Sequence, residues 1–176
     1  KKEVCERGKE EEVRGITVRE EGSIPPEWDV VWDELETTFG LAVKRSCHYL
    51  TWRYCQRPGK NYTILVAREF TAGVTGLAVL GCESDRGYLM EFLPRSQDRL
   101  TTHGLIAAIE QRCRTAGVRT IEGWFPPQAA GILLELEGFR GEEADHYLEC
   151  MLFDQRLTAR WLRENFYYSL GDYDVF

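Results

Sequence analysis

GYLMEFLPRSQDRLTTHGLIAAIEQRCRTAGVRTIEGWFPPQAAGILLELEGF, residues 87–139, reads as strand, loop, helix, strand, helix, and the rest of the chain is arranged around it. Tyr88 to Pro94 is a short apolar run closed by a proline, the pattern of a buried strand. From Asp98 to Ala116 the period changes. Leu105, Ile106, Ile109, Cys113 and Ala116 recur at helical spacing, while Glu110, Arg112 and Arg114 take the opposite face. Ser96 or Asp98 can cap the start, and Gly117 stands where a left-handed residue closes a helix. Val118 to Phe125 is the next strand. Two strands joined by one helix lie parallel through a right-handed crossover. The mouth of such a unit is at the strand carboxyl ends, here near Pro94 and Phe125, and a site is expected there.

The flanks add to the same sheet. Val13 to Arg19 alternates like an edge strand. Trp28, Val31, Trp32, Leu35 and Phe39 form one stripe of a core-facing helix that Gly40 ends. Ser46 to Gln56 reads as a second short helix, broken by Pro58-Gly59. Tyr62 to Ala67 is a central strand, and Gly73 to Leu80 follows a short turn, so the two pair antiparallel. Pro126-Pro127 open a helix that closes at Gly138-Phe139. His146 to Phe153 reads as a last strand and Leu157 to Arg163 as a short helix. The fold class is α/β, with a mixed, mostly antiparallel sheet around a central parallel β-α-β unit. Residues 1–12, dominated by charge, are expected to fray, 13–153 form the domain, and 154–176 dock on it, because Phe166 to Phe176 is too aromatic to lie in water.

Composition bounds the chemistry. A chain of 176 residues with 43% apolar content can bury a proper core. Its formal charge of −7 argues against nucleic acid, because phosphate binding needs a basic face. No apolar run is long enough to span a bilayer. The six cysteines form no C-x-x-C pair and the three histidines no H-x-x-x-H spacing, so reduced thiols, no metal and a cytoplasmic location are expected.

The order of elements resembles the GNAT superfamily of acyl-CoA-dependent N-acyltransferases over roughly residues 13–153. Two stretches carry the likeness most specifically. Arg114-Thr115-Ala116-Gly117-Val118-Arg119-Thr120-Ile121 is like the end of the family's central helix and its next strand. Leu133-Leu134-Glu135-Leu136-Glu137-Gly138-Phe139 is like its helix ending in Gly-Phe. Tyr49-Leu50-Thr51-Trp52-Arg53-Tyr54 and Gly171-Asp172-Tyr173-Asp174 are similar to a divergent branch associated with polysaccharide and envelope biosynthesis. The resemblance implies a sheet splayed at its mouth, with an acyl thioester, acetyl-CoA or another acyl-CoA, lying between the splayed strands. Its amides would pair with unpaired backbone near Phe92 and Leu93. The family's phosphate loop is Gln/Arg-x-x-Gly-x-Gly/Ala, and the three key positions here are Gln97, Leu100 and Thr102. Arg95, Arg99, Thr101 and Thr102 are the residues expected to meet the phosphates, and Asp98 opposes them. The family's general-acid tyrosine corresponds to Leu134, and its helix-opening asparagine to Pro127.

Glu91 is the candidate base. Simple alternation sets it beside Leu89 and Leu93, and an apolar surround raises a carboxyl toward the range useful for taking a proton from an ammonium. Trp124, Asp172 and Asp174 are candidate acceptor contacts if the tail folds over the cleft. The acceptor implied is a small amine such as an amino sugar or an amino acid. Assembly as a homodimer, or with a partner domain ahead of Lys1, stays open. Two rival functions stay open beside acyl transfer. One is a non-catalytic binding module with a degenerate coenzyme site, and the other is Fem-type aminoacyl transfer from charged tRNA, which the acidic balance opposes.

Overall fold

The computed structural model describes residues 1–3, 15–95, 98–126, 132–142, 151–154 and 156–173. In chain order the strands are Lys2–Glu3 (β1), Ile16–Glu21 (β2), Leu41–Ala42 (β3), Tyr62–Glu69 (β4), Gly73–Glu83 (β5), Arg86–Pro94 (β6), Thr120–Gly123 (β7) and Phe166–Tyr167 (β8). The helices are Trp28–Glu36 (α1), Cys47–Leu50 (α2), Arg99–Thr115 (α3), Ile132–Leu136 (α4) and Ala159–Asn165 (α5). The main sheet runs β1-β7-β6-β5-β4-β2, and β3 pairs with β8 apart from it. Among the described residues only β6 and β7 run parallel within the main sheet, as a crossover through α3 requires.

Local chemistry explains the helices. Asp98 caps α3, its Oδ1 accepting from the amides of Leu100 at 2.9 Å and Thr101 at 3.2 Å. Gly117, at φ 72°, closes the same helix without a β-carbon penalty. Ser46 caps α2 by accepting from Tyr49 N at 3.2 Å, and α2 widens into a π-helical turn over Thr51–Cys55.

Each face of the sheet carries its own core. Trp28, Val31, Trp32 and Leu35 of α1 pack on Ile64, Val66, Leu77 and Val79. Leu105, Ile106, Ile109 and Cys113 of α3 pack on Ala67, Ala78, Leu80, Leu89 and Phe92. Burying one such aliphatic or aromatic side chain is worth about 1.5–3 kcal/mol, so both layers hold the central strands firmly.

One irregularity sets up the site. On β5, Val79 faces Glu91 and Leu80 faces Leu89, which leaves Met90 as an extra residue on β6. This bulge changes the phase of the strand. Glu91 therefore does not share a face with Leu89 as plain alternation predicts. Leu89 belongs to the α3 core, whereas Met90 and Leu93 belong to the α1 core. A bulge also bends its strand. The β6–β7 pairing runs from Arg86↔Thr120 to Leu89↔Gly123 and stops there. The two strands part where the bulge begins.

At the chain ends the structure departs from expectation. Lys2 and Glu3 pair antiparallel with Ile121 and Thr120, and residues 4–12 lie outside the described residues. Of the strand read over 146–153, residues 146–150 lie outside the described residues, and Met151 to Phe153 carry no strand, with Met151 81% and Phe153 87% exposed. Tyr167 and Leu170 are buried in the α1 core.

Candidate active site

Glu91 sits just past the bulge, where β6 has left β7, and its side chain is fully buried. Tyr54 Oη, supplied by the π-helical turn, donates to Glu91 Oε1 at 2.9 Å. Arg45 Nε faces Glu91 Oε2 at 3.6 Å, beyond hydrogen-bond reach, and finds no other acceptor. The same guanidinium donates to Val43 O at 2.7 Å and to the Asp172 carboxylate, and it stacks over the Tyr167 ring at 5.1 Å. Burial raises the Glu91 carboxyl above the ordinary carboxylate range. Arg45 pulls against that rise, the Asp172 charge adds to it, and the Tyr54 and Ser169 hydroxyls lower it. Burial also pushes Tyr54 well up, with the Glu91 charge next, so Tyr54 stays a neutral donor. The pair thus offers a carboxyl of raised proton affinity and a hydroxyl that orients it.

The C-terminal segment covers this carboxyl. A 3₁₀ turn over Leu170–Asp172 lies on β6, capped by Ser169, whose hydroxyl accepts from Gly171 N at 3.2 Å and whose amide donates to Asp172 Oδ2 at 2.9 Å. Only glycine fits at 171. A β-carbon there would stand 1.9 Å from Tyr54 Oη and 2.7 Å from Glu91 Oε1. Arg53 donates to the carbonyls of Gly171 at 3.0 Å and Tyr173 at 2.9 Å. The Tyr173 ring lies 5.2 Å from that of Trp124, just beyond β7. The structure therefore brings Glu91, Asp172 and Trp124 to one mouth. Asp172 is spent on Arg45 and on the cap of its own turn, so it offers little to an acceptor.

Main-chain direction distinguishes the two thioester positions. Arg95 N donates to Thr75 O at 2.6 Å, so Arg95 and, by alternation, Leu93 bond toward β5. Phe92 N–H and C=O then point into the gap toward β7. The Phe92 carbonyl already accepts from Tyr167 Oη at 3.4 Å.

The expected phosphate loop is otherwise engaged. Arg95 is bidentate on Glu34, at 2.8 and 2.7 Å. Thr101 and Thr102 are buried rather than free donors, Thr101 Oγ1 donating to Thr75 Oγ1 at 2.8 Å and Thr102 Oγ1 to Asp98 O at 2.8 Å. The Asp98 carboxylate occupies the first amides of α3. Leu100 is 55% exposed and does not fill the groove, and Arg99 is exposed beside it. Gln97, Asp174 and Pro127 lie outside the described residues. His103 Nδ1 lies 2.9 Å from Glu137 Oε2, which accounts for its place in the first turn of α3.

Sequence reasoning missed Arg45, Tyr54, Tyr167, Ser169 and Gly171. Arg45 had a faint signal, an arginine continuing the alternation of Leu41 and Val43. Among the described residues no cluster of three His, Cys, Asp or Glu could hold a metal, and no helix is long and apolar enough to cross a membrane.

No protein-family model and no curated protein sequence matches the chain. Solved structures do. Glucosamine-6-phosphate N-acetyltransferase from Arabidopsis thaliana superposes with a TM-score of 0.52 at 12% identity, covering 79% of this chain and 99% of that one. An acetyltransferase from Streptococcus agalactiae gives 0.54 at 16% identity, covering 81% and 93%. AAC(6')-Iy, in complex with the bisubstrate analogue CoA-S-monomethyl-acetylneamine, gives 0.53 at 14% identity, covering 78% and 99%. At such identities the likeness shows the fold, which is that of the GNAT acetyltransferases.

Proposed function

We propose that this chain is an N-acyltransferase that moves an acyl group, acetyl in the simplest case, from a CoA thioester to a small amine. The observation that carries this reading is the parting of β6 and β7 at Met90, with a buried carboxyl of raised proton affinity beside the opening. The thioester would lie between the parted strands, its carbonyl polarised by Phe92 N–H. A neutral amine would attack the carbonyl carbon, and the thiolate of CoA would leave. The proton released by the nitrogen would pass to Glu91, which Tyr54 orients. The amino-sugar and aminoglycoside-like ligands in the names of two structural neighbours favour a hydroxylated amine as acceptor, with Trp124 and Tyr173 as its aromatic wall.

A second reading has observations of its own. Asp98 on the α3 amides, Arg95 on Glu34 and Tyr167 on Phe92 O all engage groups that a coenzyme would use. They favour a non-catalytic module that keeps the fold and has lost the coenzyme. Calorimetric titration with acetyl-CoA, followed by acetyl transfer to a panel of amino sugars and amino acids, separates the two. Micromolar binding with turnover supports the enzyme. Heat-silent titration at millimolar acetyl-CoA rejects it in favour of the module.

A further inference from the structure

At the end of β6 remote from Glu91 lie two thiols that acyl transfer does not use. Cys82 pairs across the sheet with Gly87, so both residues face α3 from neighbouring positions. Gly87 has no side chain, and the Cys113 sulfur of α3 fills the space, 3.1 Å from where a β-carbon on Gly87 would stand. The two thiols are thereby neighbours on the α3 side of the sheet. Cys82 is exposed at the sheet margin, whereas Cys113 is buried in the α3 core.

We propose that Cys82 and Cys113 form a thiol pair that responds to hydroperoxides, Cys82 being oxidised first and Cys113 resolving it into a disulfide. In the first step the Cys82 thiolate attacks the distal peroxide oxygen. The O–O bond breaks, the hydroperoxide leaves as an alcohol or water, and Cys82 becomes a sulfenic acid. In the second step the Cys113 sulfur attacks the Cys82 sulfur. The S–O bond breaks, hydroxide leaves and takes the Cys113 proton, and one water is released. Overall one peroxide is reduced and two thiols lose one hydrogen each.

The charges around the pair suit these roles. The Cys113 hydrogen bond holds the Cys82 thiol down to about 7, against burial and with help from Arg112. Cys113 is raised chiefly because it donates to Cys82, with burial, the Cys82 charge and Glu110 adding and Arg112 opposing. Once Cys82 is a neutral sulfenic acid, its charge no longer holds the proton on Cys113. Cys47 and Cys55, near Ile24 on the other side of the sheet, provide an internal comparison.

The test uses the full chain, reduced and then freed of reductant, exposed to hydrogen peroxide and mapped by mass spectrometry after blocking of free thiols. A cross-linked peptide joining Cys82 to Cys113, formed ahead of any loss of Cys47 or Cys55, is the expected result. In C113S the reaction should stop at a Cys82 sulfenic acid that dimedone traps. Iodoacetamide should alkylate Cys82 with a midpoint near pH 7 in the unmodified chain. The proposal is overturned if Cys82 proceeds to sulfinic acid while Cys113 remains alkylable after unfolding, or if Cys82 reacts no faster than Cys55. The unmodified chain alone decides this, so a variant that fails to fold leaves the answer intact. Neither result bears on acetyl-CoA binding at the opposite end of the strand.

Discussion

At Glu91 burial and an arginine pull in opposite directions. Removal from water favours the protonated carboxyl, Arg45 favours the carboxylate, and burial prevails. The folded state therefore keeps a proton at a pH where the unfolded chain has released it. Folding takes up a proton in that interval, so stability falls as pH rises from the ordinary carboxylate range through the raised midpoint. Glu91→Gln should flatten that part of the urea-midpoint profile and cut any acyl transfer by about 10²–10⁴. A profile unchanged by the substitution would place the titration elsewhere. Arg45 is the complementary case. Arg45→Met leaves the buried Glu91 and the half-buried Asp172 without a cation, and urea unfolding should report a loss of about 3–5 kcal/mol. Glu91 was legible in the sequence because a lone carboxylate interrupts an apolar run. Arg45 was not, because what defines it is Asp172, a partner 127 residues away in the chain.

Among the elements, α3 and the C-terminal turn make testable claims. Asp98→Ala removes a cap and should cost about 1 kcal/mol of stability. The same change frees the amides of Leu100 and Thr101 and removes a like charge from the anion site. Coenzyme affinity should therefore rise while stability falls, and calorimetry paired with chemical unfolding reads both signs. Gly171→Ala forces a β-carbon onto Tyr54 and Glu91, so the turn must lift. Overpacking of this kind costs roughly 1–3 kcal/mol, and the Trp124 emission should shift as Tyr173 withdraws. Long elements were legible from period alone, as with α1, α3, β4 and β5. The bulge in β6 was not, because one extra residue leaves the apolar run unchanged and shows only in the pairing with β5. Of the strand read over 146–153, only 151–153 lie among the described residues, where no strand forms and Met151 and Phe153 face solvent.

For the molecule as a whole, two cores share one sheet and meet near the mouth at Phe92 and Leu93, so a ligand bound there would touch both. Occupancy at a hundred times the dissociation constant adds about 2.7 kcal/mol to folding. For a chain of this length that is a rise in Tm of roughly 5–10 °C with acetyl-CoA, readable by calorimetry. An unmoved Tm at millimolar acetyl-CoA would agree with the non-catalytic reading. The kink at Met90 carries a wider implication. Excising that single codon would splice the two halves of β6 into one uninterrupted zigzag. Leu89 and Glu91 would become consecutive, opposite Leu80 and Val79 as they already are, and each would keep the face it holds now. The smallest in-frame lesion available to this gene would thus straighten the ribbon and zip shut the cleft, while every other residue kept its identity and its side of the sheet.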